Sequence, residues 1–367
     1  MKVAIIGSRG IPARYGGFET FVEQISSVLS KAGYDVTVFG EKGNSDLTKK
    51  NDGVQIRESA YKKSRNPLLF YIDSLRKTAS YYDVVLICGV GAAPFYPFFK
   101  KKHSVLLTNV DGLEHLRSKF SIFKKIFVRT AQWFTKKYSN IIIADSGAVG
   151  VYWKQELNCP EEKVHVITYG ASPAMAVSQA VLEKYYLTQG DYYLIIARLV
   201  PENHILEIIQ GYLESGTLKK LLIVGGLEKT AYVRKLQAYS SEQIRFANSI
   251  YNKETLDSMR GAAFAYLHGH SVGGTNPSLL EAMSASCLCI CHDNIFNREV
   301  NTEEQLYFRN AEDLGLLINA VEKMPESKIN SLRKSSFERI SAKYSWELIG
   351  EKYLQLLREV YERKHRI

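Results

Sequence analysis

The chain has 367 residues, 46% hydrophobic and 23% charged. That is about twice the usual single-domain size with an ordinary globular composition, which excludes a disordered chain or a fibrous repeat. The formal net charge is +10, and it is one-sided: residues 1–170 carry 25 basic and 15 acidic side chains, whereas residues 171–367 carry 23 of each. A field of this kind points to a polyanionic partner, either nucleic acid or an anionic membrane surface, or to a charged substrate.

The amino-terminal run Val3–Ile6 ends in Gly7 and reads as a strand with a glycine turn rather than a signal peptide. Phe18–Leu29 has apolar residues at helical spacing, and Asp35–Phe39 follows a Lys31-Ala32-Gly33 stop, which makes a βαβ unit. Further buried strands are expected at Val84–Cys88, Val105–Asn109, Ile141–Ala144 and Val164–Thr168. The series then restarts with Tyr192–Ala197, Leu221–Val224, Ile244–Phe246, Phe264–Leu267 and Cys287–Cys291. Helices are expected between them at Glu202–Glu214, Ala231–Tyr239, Lys253–Arg260 and Pro277–Met283. The pattern predicts an α/β protein of two Rossmann-like domains, 1–170 and 171–345, with a tail helix in 346–367 that crosses back to the first domain. Ligands of such sheets sit off the carboxyl ends of the strands, so the loops after Ile6, Ala197, Val224 and Leu267 are expected to face a central cleft. The most apolar stretch, Val84–Phe99, is 16 residues broken by two prolines and two glycines, short of the ~20 that a spanning helix needs. Five cysteines, three of them alternating between Cys287 and Cys291, suit strand packing in a reducing compartment.

Two loops carry chemistry. Gly7–Glu19 is glycine-rich and holds Arg9 and Arg14, and Gly16 and Gly17 open a helix whose backbone N–H groups can seat a phosphate or a sugar. A dinucleotide site is disfavoured, because G-x-G-x-x-G is lacking and the acidic candidate Glu41 lies 34 residues after Gly7, where about 20 is expected. In the second loop, His268–Met283, Thr275 or Asn276 can cap a helix that starts at Pro277, behind Gly273 and Gly274. Glu281 then stands one turn into that helix, where it can accept hydrogen bonds from ribose hydroxyls.

GSRGIPARYGGFET at the start, NVDGLEHLR at 109–117, ITYGA at 167–171, ARLVPEN at 197–203, HSVGGTNPSLLEAM at 270–283 and YSWELIGEKY at 344–353 together resemble bacterial glycosyltransferase family 4, in its rhamnosyltransferase-like branch. The resemblance implies a GT-B fold and a retaining enzyme that moves a sugar from a nucleotide donor. It matches Gly16 and Gly17 to the loop near the donor pyrophosphate, Arg198 to the arginine that neutralises the leaving diphosphate, and Glu281 to the second glutamate of E-x7-E. Gly273 stands where the first glutamate is expected, and Asn203 where a lysine is expected. Arg9, Arg14 or Lys229 would then make up the missing charge, and backbone groups of Gly273–Thr275 would meet the sugar, which suits a 6-deoxy sugar such as rhamnose from dTDP-rhamnose. UDP-glucose, UDP-galactose or GDP-mannose are the alternative donors, and a nucleotide-sugar epimerase or a non-catalytic sensor are the alternative functions. No carboxylate nucleophile is placed by the motifs, so front-face displacement is expected, with the diphosphate taking the acceptor's proton. The chain has no D-x-D pair, and no metal or cofactor is expected. Asp111, as a base, and Glu114 and His115 are candidates for acceptor binding, with a helix-capping Asp111 as the alternative. His268 and His270 flank the diphosphate loop and are read as donor contacts.

Between Lys100 and Lys137 there are ten basic residues against Asp111 and Glu114. Phe120, Phe123, Phe127 and Phe134 form one helical face, Lys125, Arg129 and Lys136 another, and Trp133 adds an interfacial ring. This stretch is expected either to lie on an anionic membrane or to pack its Phe face into the domain. No nucleic-acid motif accompanies it. The sequence therefore predicts a cytoplasmic protein, peripheral on the inner membrane face, acting on a lipid-linked saccharide in cell-surface polysaccharide synthesis.

Overall fold

The structure is a computed structural model and describes residues 1–13, 16–43, 52–78, 81–99, 104–113 and 121–365. It divides into two compact units, Met1–Tyr169 with Trp346–Ile367, and Gly170–Ser345.

The first unit is built in the order β1 (Lys2–Ile6), α1 (Gly17–Lys31), β2 (Asp35–Gly40), β3 (Gln55–Glu58), α2 (Pro67–Thr78), β4 (Val84–Cys88), α3 (Tyr96–Phe99), β5 (Val105–Asn109), α4 (Ile122–Tyr138), β6 (Ile141–Ala144) and β7 (Val164–Val166). All pairings are parallel, in the order β3-β2-β1-β4-β5-β6-β7. The central strands are continuous apolar runs because helices cover both sheet faces. On one face, Phe70, Tyr71 and Leu75 of α2, Tyr96 of α3 and Phe134 of α4 share a core with Ile6, Ile87 and Leu106. The carboxyl-terminal helix Trp346–His365 packs with α1, where the methyls of Val28 fill the space a Cβ at Gly350 would need.

The second unit repeats the plan with β8 (Tyr192–Ile196), β9 (Lys220–Val224), β10 (Ile244–Ala247), β11 (Ala265–His268), β12 (Cys289–His292) and β13 (Leu306–Phe308). These pair in parallel as β10-β9-β8-β11-β12-β13. Both sheets are therefore the doubly wound kind that the sequence predicts. Their strand order reverses beside β1 and beside β8, which makes the loops after Ile6 and Ile196 the natural ligand positions. All five cysteines are buried and unpaired.

Helix α4 departs from expectation. Its buried stripe is Val128, Ala131, Gln132 and Thr135; of the phenylalanine face, Phe127 and Phe134 are half-buried, Phe134 against the core, and Phe123 is exposed. The small side chains let the helix lie close against the 3-10 segment Val90–Phe95, which carries buried Ala92 and Ala93. Phe120 lies outside the described residues.

Candidate active site

In the first unit, Gly7 takes a positive φ of 97°, and a Cβ there would stand 2.4 Å from the Cys88 carbonyl oxygen, so only glycine fits. Gly10 likewise lies on Gly40. The loop is tied to α1 by buried Glu19, whose carboxylate accepts the Arg9 N–H at 2.9 Å. Helix α1 begins at Gly17, and Gly16 supplies no side-chain cap. Lys63, unflagged by any sequence signal, reaches in from the segment after β3 and donates to the Gly7 carbonyl at 2.5 Å. Burial works against its charge, but Tyr71, Glu19 and Cys88 more than offset it, so the ammonium is held above its ordinary range.

Asp111 follows β5 with φ +58°, a conformation rare outside glycine. Its backbone N–H donates to Asn109 Oδ1, and its Oδ1 accepts the Tyr169 hydroxyl at 3.3 Å. Asn109 in turn donates to the Tyr353 hydroxyl at 3.2 Å. Ser121, not Asp111, caps α4. Glu114, His115 and Arg14 lie outside the described residues.

In the second unit, the loop after β8 presents Arg198 in the open, with no ion pair to a described residue. Asn203 is buried and joins two loops. Its Nδ2 donates to the Arg198 carbonyl at 2.7 Å, which fixes the amide's orientation, so its Oδ1 accepts from His270 Nδ1 at 2.9 Å. His270 Nδ1 is thus the donor of this bond, and Nε2, on the far side of the ring, faces Gly273. A Cβ at Gly273 (φ +150°) would stand 2.8 Å from that nitrogen. The two departures seen in the sequence are thus one arrangement: Asn203 holds an imidazole in the space that a larger residue 273 would enter.

Asn276 caps the helix Pro277–Ser284 through Ser278 N–H. Ser278 Oγ donates to the Ile196 carbonyl at 3.0 Å and lies 2.7 Å from the Tyr266 hydroxyl, which binds this helix to the end of β8. Glu281 is not solitary. The Arg260 guanidinium, 2% exposed, donates to its Oε2 at 2.5 Å, and Asp257 lies 3.6 Å from the same guanidinium and pairs with Lys253. The buried arginine fixes the carboxylate's direction.

His268 is buried with Nε2 unpartnered among the described residues, and burial pushes its pKa down to about 3. It is a neutral imidazole lying between the rings of Tyr266 and His270. His204, Glu207 and His292 bring ligand-type atoms within 4.8 Å of one another. Yet the two rings stack at 4.1 Å and 26°, so their in-plane lone pairs run side by side instead of converging on one ion. His204 bridges Glu207 (2.5 Å) and Ser271 (2.9 Å) instead.

The structure thus gathers Arg198, Asn203, His270, Gly273, Gly274, Thr275 and Asn276 on loops at one edge of the second sheet, with Glu281 one turn into the helix that follows, and Arg9, Gly16, Gly17 and Asp111 at the corresponding edge of the first. Arg260 and Lys63 escaped the sequence reading because they lie far along the chain from the groups they touch.

Comparison with known proteins agrees with this architecture. A protein-family profile described as "Domain of unknown function (DUF1972)" matches residues 1–59 and 66–172. No curated protein matches the sequence significantly. Among solved structures, a sucrose-phosphate synthase from Thermosynechococcus elongatus is similar at TM-score 0.82 and 17% identity, over 99% of each chain. A glycosyltransferase from Rickettsia africae aligns at 0.73 and 16%, over 99% of this chain and 98% of that one. Anabaena HepE in complex with UDP-glucose aligns at 0.78 and 14%, over 98% and 100%. The structural neighbours are GT-B glycosyltransferases, and this chain has the GT-B fold.

Proposed function

We propose that the protein is a retaining glycosyltransferase that moves L-rhamnose from dTDP-rhamnose to a lipid-linked saccharide in bacterial cell-surface polysaccharide synthesis. The Asn203–His270–Gly273 arrangement carries the reading. It presents an imidazole held by Asn203 and a short backbone loop beside a capped helix N-terminus, with Arg198 exposed at the end of β8. That neighbourhood suits a diphosphate with an attached hydroxylated sugar. In this reading Arg198 and the Pro277 helix neutralise the charge that develops on the leaving diphosphate. Glu281, aimed by Arg260, accepts from the ribose hydroxyls. His270, held by Asn203, contacts the donor sugar in place of the missing glutamate. In the first unit, Gly16, Gly17 and Arg9 form a loop suited to phosphate oxygens, and Asp111, oriented by Tyr169, receives the acceptor hydroxyl. The leaving phosphate takes that hydroxyl's proton on the same face, which retains configuration, and no metal is required. Anabaena HepE, which is similar in fold, was solved in complex with UDP-glucose, and this supports a nucleotide-sugar donor.

Thermal-shift screening of nucleotide sugars followed by transfer assays tests the reading. A ligand at about 100 times its Kd adds about 2.7 kcal/mol, so dTDP-rhamnose should raise Tm by several degrees and UDP-glucose or GDP-mannose by less. Arg198→Ala should abolish transfer with Tm unchanged, and a fully active variant rejects the assignment. Retained activity in EDTA is expected.

A further inference from the structure

Helix α4 contains five basic residues, Lys124, Lys125, Arg129, Lys136 and Lys137, and no acid. Its first five residues, 122–126, bury nothing apolar: Ile122 is 70% exposed and Phe123 80%, with Ile126 beside them. A second, shorter element has the same make-up. Lys62 and Arg65 precede the first turn of α2, where Leu68 and Leu69 are exposed.

Topology places these two turns on one edge. Helices α2 and α4 pack on the same face of the first sheet. Each runs back to the amino edge of its next strand, α2 ending at Thr78 before β4 and α4 ending at Tyr138 before β6. Both amino-terminal turns therefore lie at the carboxyl edge, with the Gly7–Gly17 loop and Asp111. At ~1.5 Å per residue α4 is ~25 Å long, whereas a five-residue strand spans ~16 Å, so the first turns of α4 project past that edge.

We propose that the amino-terminal turns of α2 and α4 form a two-point docking surface for an anionic lipid bilayer, inserting Leu68, Leu69, Ile122, Phe123 and Ile126 while the flanking cations meet the headgroups. Charge complementarity selects the bilayer: apolar side chains ringed by cations, with no acid in α4, match an anionic leaflet rather than a second copy of this basic unit. The surface shares its edge with Asp111, so a lipid-linked acceptor could keep its tail in the leaflet while its saccharide reaches the site. This deepens the lipid-linked-acceptor reading and rests on it only for the identity of the cargo.

All five native cysteines are buried, so Phe123→Cys can be labelled selectively with an environment-sensitive dye on the full chain. Vesicles containing phosphatidylglycerol should blue-shift the dye and sediment the protein, and phosphatidylcholine alone should do neither. Phe123→Asp with Leu69→Asp should lower vesicle partitioning about tenfold or more. Leu218→Asp, an exposed apolar site in the second unit, should leave it unchanged. An unshifted dye on bound vesicles, or unchanged partitioning of the double variant, overturns the proposal. So does a vesicle-independent dimer that the Asp substitutions disperse. Nucleotide thermal shifts of the double variant should match the parent's; if dTDP-rhamnose fails to bind either protein while vesicle binding holds, the transferase reading falls and the docking surface stands.

Discussion

At the scale of single residues, the Asn203–His270–Gly273 contact predicts strong non-additivity. Gly273→Ala forces a methyl toward the His270 ring at a backbone angle that L residues avoid. Alone it should reduce transfer by about a hundredfold, while His270→Ala costs about tenfold through one lost hydrogen bond. In the double variant the methyl has room, so Gly273→Ala should cost much less than in the parent, with a coupling of about 1 kcal/mol or more. Additive effects in the cycle would mean that the ring and residue 273 act separately. Arg260 makes a companion case. Arg260→Gln removes a buried cation from beside Asp257 and Glu281, so unfolding should be easier by about 3 kcal/mol, and the KM for the nucleotide sugar should rise more than kcat falls. Neither contact was legible in the sequence. His270 and Asn203 are 67 positions apart, Arg260 and Glu281 are 21 apart, and only the return of parallel strands to one edge brings each pair together.

At the scale of elements, the strands most readable from sequence were those buried on both faces: Val84–Cys88 is apolar throughout, Val105–Asn109 opens with three apolar residues, and both have the bounds expected of them. Edge strands β3 and β13 were not read. Gln55–Glu58 contains one apolar residue in four because one side of an edge strand carries no neighbour, and Leu306–Phe308 is only three residues long. Helix Ile205–Ser215 starts three residues later than its pattern suggested, because Pro201–Asn203 forms a 3-10 turn and His204 takes a left-handed conformation. That helix carries an element-scale prediction. A Cβ at Gly211 would lie 2.5 Å from the Ala311 carbonyl oxygen and 2.9 Å from Leu314 in the helix Ala311–Glu322. Gly211→Ala should therefore push two packed helices apart and destabilise the second unit by about 2 kcal/mol, although alanine is the better helix former by about 1 kcal/mol. A stabilised variant in urea melts would show that the helices separate without strain.

At the scale of the whole molecule, the two units should respond differently to acid. His268 is neutral in the fold with a pKa of about 3, and His292 is displaced in the same direction by burial and by His204. An unfolded histidine titrates near 6.5. Between those values the unfolded chain binds more protons than the folded one, so stability rises with pH there and is lost as pH falls from about 6.5 toward 3. At pH 5 the His268 contribution is about 2 kcal/mol, from about 1.5 pH units at 1.36 kcal/mol each. The paired carboxylates Asp73 and Asp293 are held below their ordinary range, so what they contribute is lost only below about pH 4. Both histidines belong to the second unit. The sequence also provides separate reporters: Trp133, Trp153 and Trp346 are its three tryptophans, and all lie in the first unit. Urea unfolding followed by tryptophan fluorescence reads the first unit, and far-UV circular dichroism reads both. From pH 7.5 to 5 the fluorescence midpoint should move little, while the dichroism curve should gain an earlier transition. His268→Phe, which fills the same space without a titrating nitrogen, should restore coincidence of the two curves at pH 5. If the two probes stay together at pH 5 in the parent protein, burial of His268 does not set the acid limb, and the two units unfold as one.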